Sequence, residues 1–176
     1  TVASAMSTGK WVSPLAGRYP INQGAGPGHN PRWAVDFGAP GGAGVRAVSD
    51  GRVIRSGWSS RGYGKYVELE HGGGVRSLYA HMSSLSASLG QIVDVGQRLG
   101  RSGNTGNVKG PGGGYHLHFE LMPGVDTLKE LRKRGVKLAK GGVARATDGG
   151  IMSVIAEAGK AERVEPLDSD GFSKRD

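Results

Sequence analysis

The sequence predicts an all-β protein with an antiparallel core built from hairpins. Several short segments alternate apolar and polar residues and are bounded by Gly, Asp or Ser, which is typical of half-buried strands. Glycine supplies 33 of the 176 residues without a Gly-X-Y period, which indicates many turns and excludes collagen. No segment before residue 120 carries a clear helical pattern. Consecutive strands joined by glycine turns favour antiparallel pairing.

The predicted strands follow one another along the first 122 residues. They are residues 44–48, 51–55, 65–70, 75–81 and 115–122. Between the third and fourth of these strands, His71 is followed by three consecutive glycines. A tight reversal with positive φ needs glycine, so these residues predict a hairpin.

After Pro123 the chain changes character. Residues 127–140 form a short basic stretch, interrupted by Gly135, which is a candidate helix with a solvated charged face. The Gly-rich residues from 141 suggest a linker and a poorly ordered terminus. We therefore predict a domain at 11–123 and a partly irregular C-terminal extension at 124–176.

Composition excludes several classes of function. The absence of cysteine excludes disulfides, thiolate zinc sites and a cysteine nucleophile. No run of about 18 apolar residues predicts a transmembrane segment, and no signal peptide is expected. A formal charge of +8 favours polyanionic partners such as nucleic acid, anionic lipid or the phosphate-bearing polymers of a bacterial wall. Without a recognition motif or interleaved aromatic and basic residues, a specific nucleic-acid partner is not expected.

All five histidines precede residue 119, and two of them form a His-x-His pair. Because strand side chains alternate faces, His116 and His118 are expected on one face and Leu117 on the other. His29, Asp36 and one imidazole of the pair would supply two nitrogens and a carboxylate. This donor set suits zinc and leaves a fourth position for water, as a hydrolase requires. Beside such a metal, His81 is a candidate base or hydrogen-bond donor.

The order of these residues resembles that of the lysostaphin and LytM-like zinc endopeptidases, which cut peptidoglycan peptides. Further landmarks in the same order are residues 35–37, 39–51, 79–81, 95–100 and 103–106. The resemblance implies a two-sheet β domain and one Zn²⁺ per chain. It implies zinc ligands at His29, Asp36 and His118, and catalytic assistance from His81 and His116. Bacterial peptidoglycan is the implied partner.

Two features depart from the family pattern. Six residues separate His29 from Asp36, which is longer than the usual lysostaphin-like spacer. Three glycines and Tyr115 also separate Pro111 from His116, which predicts a longer loop beside the cleft and an effect on substrate choice. His71 corresponds to a non-catalytic position of the family, so a structural role is expected.

The C-terminal extension resembles a different group of proteins. Its residues 140–143, 149–151, 155–162 and 166–167 are similar to a recurring C-terminal segment of phage tail tape measure proteins. Together with a wall-hydrolase domain, this resemblance implies a fragment of a tail-associated lysin in the virion that acts on the host wall, with other tail proteins as partners. The alternative is a catalytically silent wall-binding or structural module of the tail.

Overall fold

The computed structural model describes residues 9–24, 29, 31–108 and 113–139, together with the backbone of three short strands between residues 144 and 162. Every strand pairing in these parts is antiparallel, which confirms the predicted all-β class. The strands up to residue 122 are β1 Ile21–Gln23, β2 Val35–Phe37, β3 Gly44–Arg46, β4 Gly51–Ser59, β5 Gly64–Glu70, β6 Arg76–Met82, β7 Ser84–Leu85, β8 Ile92–Val93, β9 Arg98–Arg101 and β10 Leu117–Met122.

Two sheets build the region up to residue 122. A seven-stranded sheet has the order β1-β2-β10-β6-β5-β4-β8, and a three-stranded sheet has the order β3-β9-β7. Apolar side chains of both sheets belong to one buried cluster, which includes Val45 and Leu99 of the small sheet and Val67, Tyr79 and Phe119 of the large one. The core therefore joins the two sheets, and the other face of the large sheet is left to carry polar side chains.

The predicted hairpin is confirmed. β5 and β6 pair in antiparallel register, and all three connecting glycines have positive φ, from 62° to 80°. The strand predicted at 51–55 extends to Ser59, because it pairs with β5 as far as Gly64. The strand predicted at 44–48 ends at Arg46, and the one predicted from residue 115 begins at Leu117.

One short helix among the described residues, α1 (Thr127–Lys133), lies within the predicted basic stretch. Asp126 caps it by accepting a hydrogen bond from the backbone of Lys129, and Gly135 follows its end with φ 76°. Leu131 and Val136 belong to the same buried cluster as the strands. Helix α1 therefore packs against the β core, on the C-terminal side of the predicted boundary at residue 123.

Three strands lie in the segment where the sequence suggested a linker. β11 (Ala144–Ala146), β12 (Met152–Ile155) and β13 (Ala161–Glu162) form a small antiparallel sheet. The linker interpretation missed them, because strands of two to four residues are too short to show an alternating pattern. The tape-measure-like residues outside these strands lie beyond the described residues. Among the described residues, no helix has the length and apolarity needed to cross a membrane.

Candidate metal centre

The candidate site lies on the polar face of the seven-stranded sheet. Asp36 in β2 stands directly opposite His118 in β10, and His118 stands opposite Ala80 in β6. Directly opposed residues of antiparallel strands present their side chains on the same face. The neighbouring Leu117 and Phe119 are fully buried in the core. The predicted alternation of β10 is thus observed.

His29, Asp36 and His118 come together on this face. Asp36 Oδ1 lies 3.1 Å from His29 Nε2 and 2.9 Å from His118 Nδ1. One ligand atom from each of the three residues can be chosen so that all lie within 4.8 Å of one another. The six-residue spacer therefore does not keep His29 away from Asp36. His116 Nε2 lies 3.8 Å from the same carboxylate oxygen.

Backbone carbonyls orient three of the histidine rings. The Nδ1 atoms of His29, His81 and His116 lie 3.2, 2.8 and 2.7 Å from the carbonyl oxygens of Gly24, Thr105 and Gly114. A carbonyl only accepts hydrogen bonds, so each Nδ1 carries a proton. In the neutral rings, Nε2 therefore carries the lone pair that can bind a metal or accept a proton.

The residues present fit a divalent metal ion. His29 Nε2 is buried and lies 3.1 Å from Asp36 Oδ1, yet it makes no hydrogen bond of good geometry with any of the described residues. A buried polar atom without a partner costs free energy, which a metal ion at that nitrogen would remove. Two imidazoles and one carboxylate are also the donor types that zinc takes in catalytic sites with an open position.

Glu120 connects His118 to the surrounding structure. Its Oε1 lies 2.8 Å from His118 Nε2 and accepts a hydrogen bond of 2.6 Å from the Tyr63 hydroxyl. Its Oε2 accepts a hydrogen bond of 3.3 Å from the indole of Trp33. Glu120 is 2% exposed. The carboxylate fixes the ring of His118 with Nδ1 directed towards Asp36.

The electrostatics of the cluster favour an ionised carboxylate beside a charged imidazole in the metal-free protein. Burial alone would raise the pKa of Asp36, but the hydrogen bond from His118 and the adjacent imidazole of His29 hold that pKa well below its usual range. Burial opposes a charge on His118, yet hydrogen bonds to Asp36 and Glu120 raise its pKa to about 9. A metal ion bound at His118 would therefore displace a proton.

His81 occupies a constrained position at the end of β6. It is the only non-glycine among the described residues with a positive φ, at 60°. Its backbone N–H donates to the carbonyl of Tyr63 at 2.8 Å. Burial lowers the pKa of its imidazole to about 4, and the neighbouring His116 and His118 act in the same direction. Its ring centroid lies 4.7 Å from that of His116.

Sequence reasoning did not assign roles to Glu120, Tyr63, Trp33 or Thr105. The signal for Glu120 was present, because a residue two positions after His118 in a strand shares its face. The other three approach the cluster from distant parts of the chain, and no local pattern indicates them. Of the inserted loop before His116, residues 109–112 lie outside the described residues, and Gly113 accepts a hydrogen bond of 2.9 Å from Asn104.

His71 lies apart from the cluster and contacts other groups. Its Nδ1 donates to the carbonyl of Asp50 at 2.8 Å, and its Nε2 lies 2.7 Å from the Ser77 hydroxyl. Its ring also packs against Trp11 at a centroid distance of 5.3 Å. These contacts are structural in kind.

A β-sheet fold that brings histidines and an aspartate together on the polar face of its large sheet defines the class of the protein as a metallopeptidase-type domain. More particularly, the chain belongs to peptidase family M23, whose family model matches residues 30–129.

Curated relatives agree with this assignment. The chain is 37% identical over 107 residues to a glycyl-glycine endopeptidase, ALE-1, of Staphylococcus capitis, covering 60% of this chain and 27% of that protein. It is 39% identical over 105 residues to the peptidoglycan DD-endopeptidase ShyA of Vibrio cholerae, covering 59% and 22% respectively. The chain thus spans only about a quarter of the length of these relatives.

Solved structures share the fold. The catalytic domain of lysostaphin from Staphylococcus simulans has a TM-score of 0.54 at 35% identity, covering 61% of this chain and 82% of that domain. A zinc-containing peptidase from Vibrio cholerae has a TM-score of 0.56 at 29% identity, covering 64% and 36%. These likenesses confirm the predicted lysostaphin-like architecture.

Proposed function

We propose that the protein is a zinc-dependent endopeptidase that cleaves peptide bonds in bacterial peptidoglycan. The observation that carries this proposal is the convergence of His29, Asp36 and His118 beside His81 and His116 on one face of the large sheet. Membership of family M23 and the peptidase activities of the relatives named above support the substrate class.

His29, Asp36 and His118 would hold one Zn²⁺. When bound, zinc supplies a Lewis acid that polarises the scissile carbonyl and lowers the pKa of water. The protein then has to bind the peptide, move protons and stabilise charge. His81 and His116 are suited to the proton steps, because each directs its Nδ1–H to a carbonyl and keeps Nε2 available.

We also propose that the protein acts from a phage tail. This part rests on the resemblance of the C-terminal extension to tape measure proteins. The expected location is the virion, with action on the host wall and with other tail proteins as partners. Antibodies against residues 9–139 should then label the tail of purified phage in electron micrographs, whereas absence of labelling on the virion would contradict the assignment.

Mass spectrometry of soluble products tests the enzymatic proposal. Purified peptidoglycan of several wall types, incubated with the zinc-loaded chain, should release fragments with new peptide termini. His118→Ala and Asp36→Asn should release none and should bind less than one zinc per chain. Asp94→Asn changes an exposed aspartate outside the cluster and serves as the matched control. Release of the same fragments by His118→Ala would show that the ligand assignment is wrong.

A further inference from the structure

A concave feature lies beside the candidate metal centre, over β4, β5 and β6. It is a groove of about 380 Å³, lined chiefly by Arg55, Trp58, Arg61, Tyr63, Tyr66 and Leu78. We call it the aromatic groove. Register pairs place Arg55 opposite Glu68, Glu68 opposite Leu78, and Leu78 opposite Glu120. The groove thus shares a sheet face with the metal centre.

The aromatic groove combines three aromatic side chains with a mainly polar exposed surface. Trp58 is 63% exposed, although its ring is among the largest apolar groups in the chain. Tyr63 and Tyr66 lie next to each other with ring centroids 6.1 Å apart, over the buried Leu78. Aromatic side chains grouped in an open concavity are typical of ligand-binding surfaces, because they offer contact area at little conformational cost.

The groove also carries excess positive charge. Glu68 is 1% exposed and is shared by Arg55 and Arg76, at 3.1 and 2.9 Å. Two guanidinium groups therefore face one carboxylate, which leaves a net charge of +1. Arg61, exposed at the rim, makes no ion pair with any residue in the described part of the chain. The charge is complementary to an anionic ligand.

Tyr63 connects the aromatic groove to the metal centre. Its ring lines the groove, while its hydroxyl donates to Glu120 beside His118. The carbonyl of Tyr63 accepts the backbone N–H of His81. A ligand in the groove is therefore one side chain away from the groups that we propose to perform the reaction.

The turn between β4 and β5, which forms the rim of the aromatic groove, is fixed by hydrogen bonds to the loop around Thr105. The carbonyl of Gly62 accepts from the backbone of Asn107 at 2.8 Å, and the N–H of Lys65 donates to the Thr105 hydroxyl at 3.0 Å. Preorganisation of this kind lowers the entropy that a ligand must overcome.

We propose that the aromatic groove binds an acidic segment of the wall peptide, with a free carboxylate of the peptide at Arg61 and its aliphatic parts against Trp58 and Tyr66. This proposal rests on the proposed function, because it names the substrate class of the same site. On this proposal, the aromatic groove favours peptides that bear a carboxylate over uncharged oligoglycine bridges as substrates.

Direct binding tests the proposal. The probes are a dye-labelled tetrapeptide with one free internal carboxylate and its carboxamide twin, both blocked at their ends. Fluorescence polarisation, read within seconds of mixing with the zinc-loaded full chain, gives both dissociation constants. The carboxylate peptide should bind about fivefold more tightly, as expected for a solvent-exposed ion pair, and the preference should shrink as salt is added. Equal binding of the two peptides would overturn the proposal.

Two exposed arginines provide the variant and its control. Arg61→Gln should abolish the preference for the carboxylate peptide, whereas Arg98→Gln, on β9 outside the groove, should keep it. A preference that survives Arg61→Gln also overturns the proposal. If the protein prefers the carboxylate peptide but cleaves no peptidoglycan, the result counts against the proposed function alone. If it cleaves peptidoglycan but binds both peptides equally, the result counts against the proposed role of the aromatic groove alone.

Discussion

Glu120 is a buried carboxylate that accepts hydrogen bonds from three side chains in separate segments of the chain. His118, Tyr63 and Trp33 all hydrogen bond to it. Gly124 contributes indirectly, because a Cβ there would lie 2.9 Å from the ring of Trp33. The carboxylate thus positions a proposed ligand without itself being placed among the ligands.

Glu120→Gln keeps the size of this side chain but removes its charge. We expect zinc affinity to fall by about 10- to 100-fold, because an uncharged amide no longer raises the basicity of His118. Titration of the metal-free protein against a competing chelator dye measures the change. Glu70→Gln, at the exposed end of β5, is the control and should leave the affinity as it is. If Glu120→Gln binds zinc as tightly as the wild type, Glu120 does not position His118 for metal binding.

His71 links stability to pH. Burial lowers its pKa, and the nearby charge of Arg134 acts in the same direction, against the opposing effect of the Asp50 carbonyl. The unfolded chain therefore takes up a proton near pH 6.5, while the folded protein does so only at lower pH. The contribution of His71 to the free energy of unfolding should fall as pH decreases below about 6.5, by up to about 1.4 kcal/mol per pH unit.

Denaturant titrations of the metal-free protein between pH 8 and pH 5 measure this effect. His71→Gln should be less stable at pH 8, because the variant disturbs the contacts with Asp50 and Ser77. The stability difference between wild type and variant should narrow towards pH 5. If the stability difference stays constant between pH 8 and pH 5, the titration of His71 does not contribute to the pH dependence of the free energy of unfolding.

At the scale of elements, the β4–β5 hairpin and the loop around Thr105 depend on each other. Gly64 has φ 63°, and a Cβ at this position would overlap the backbone of Thr105. The Thr105 carbonyl in turn accepts from His81, and its hydroxyl donates to Met82 at 2.7 Å. The close approach at Gly64 thus helps to hold His81.

Gly64→Ala and Gly73→Ala form a matched pair, because both glycines have φ near 60° but a Cβ at Gly73 meets nothing within 4 Å. The left-handed conformation should cost each variant about 1–2 kcal/mol. Gly64→Ala should lose about 1–3 kcal/mol more through overpacking. Chemical denaturation compares the two variants. Equal losses would mean that the hairpin can move away from Thr105 at little cost.

The sequence predicts the longer elements well, for a physical reason. Residues 51–55 and 65–70 alternate apolar and polar residues over part of their length, and period two alone places His116 and His118 on the face opposite Leu117. β1, β7 and β8 have only two or three residues, so they show no period. The bonds of Glu120 to Tyr63 and Trp33 span 57 and 87 residues. Contacts of that range depend on the tertiary fold rather than on any local pattern.

At the scale of the whole molecule, a bound ion would join separate parts of the fold. His29 lies in a loop, Asp36 in β2 and His118 in β10. Ligand binding to the native state alone raises the free energy of unfolding, by about 2.7 kcal/mol when free zinc is 100 times its dissociation constant.

Thermal unfolding with added zinc and with a chelator measures this linkage. The midpoint should rise with zinc for wild type and for Asp94→Asn, and should not respond for His118→Ala. A zinc response that persists in His118→Ala would place the ion elsewhere.

Trp11, near the start of the described chain, and Arg134, just after α1, meet in space. The guanidinium carbon of Arg134 lies 4.2 Å from the centre of the Trp11 ring, and Trp11 packs in turn on His71. The polypeptide therefore enters and leaves the β core at nearly the same point. Adjoining entry and exit points are typical of units that tolerate insertion in a longer polypeptide.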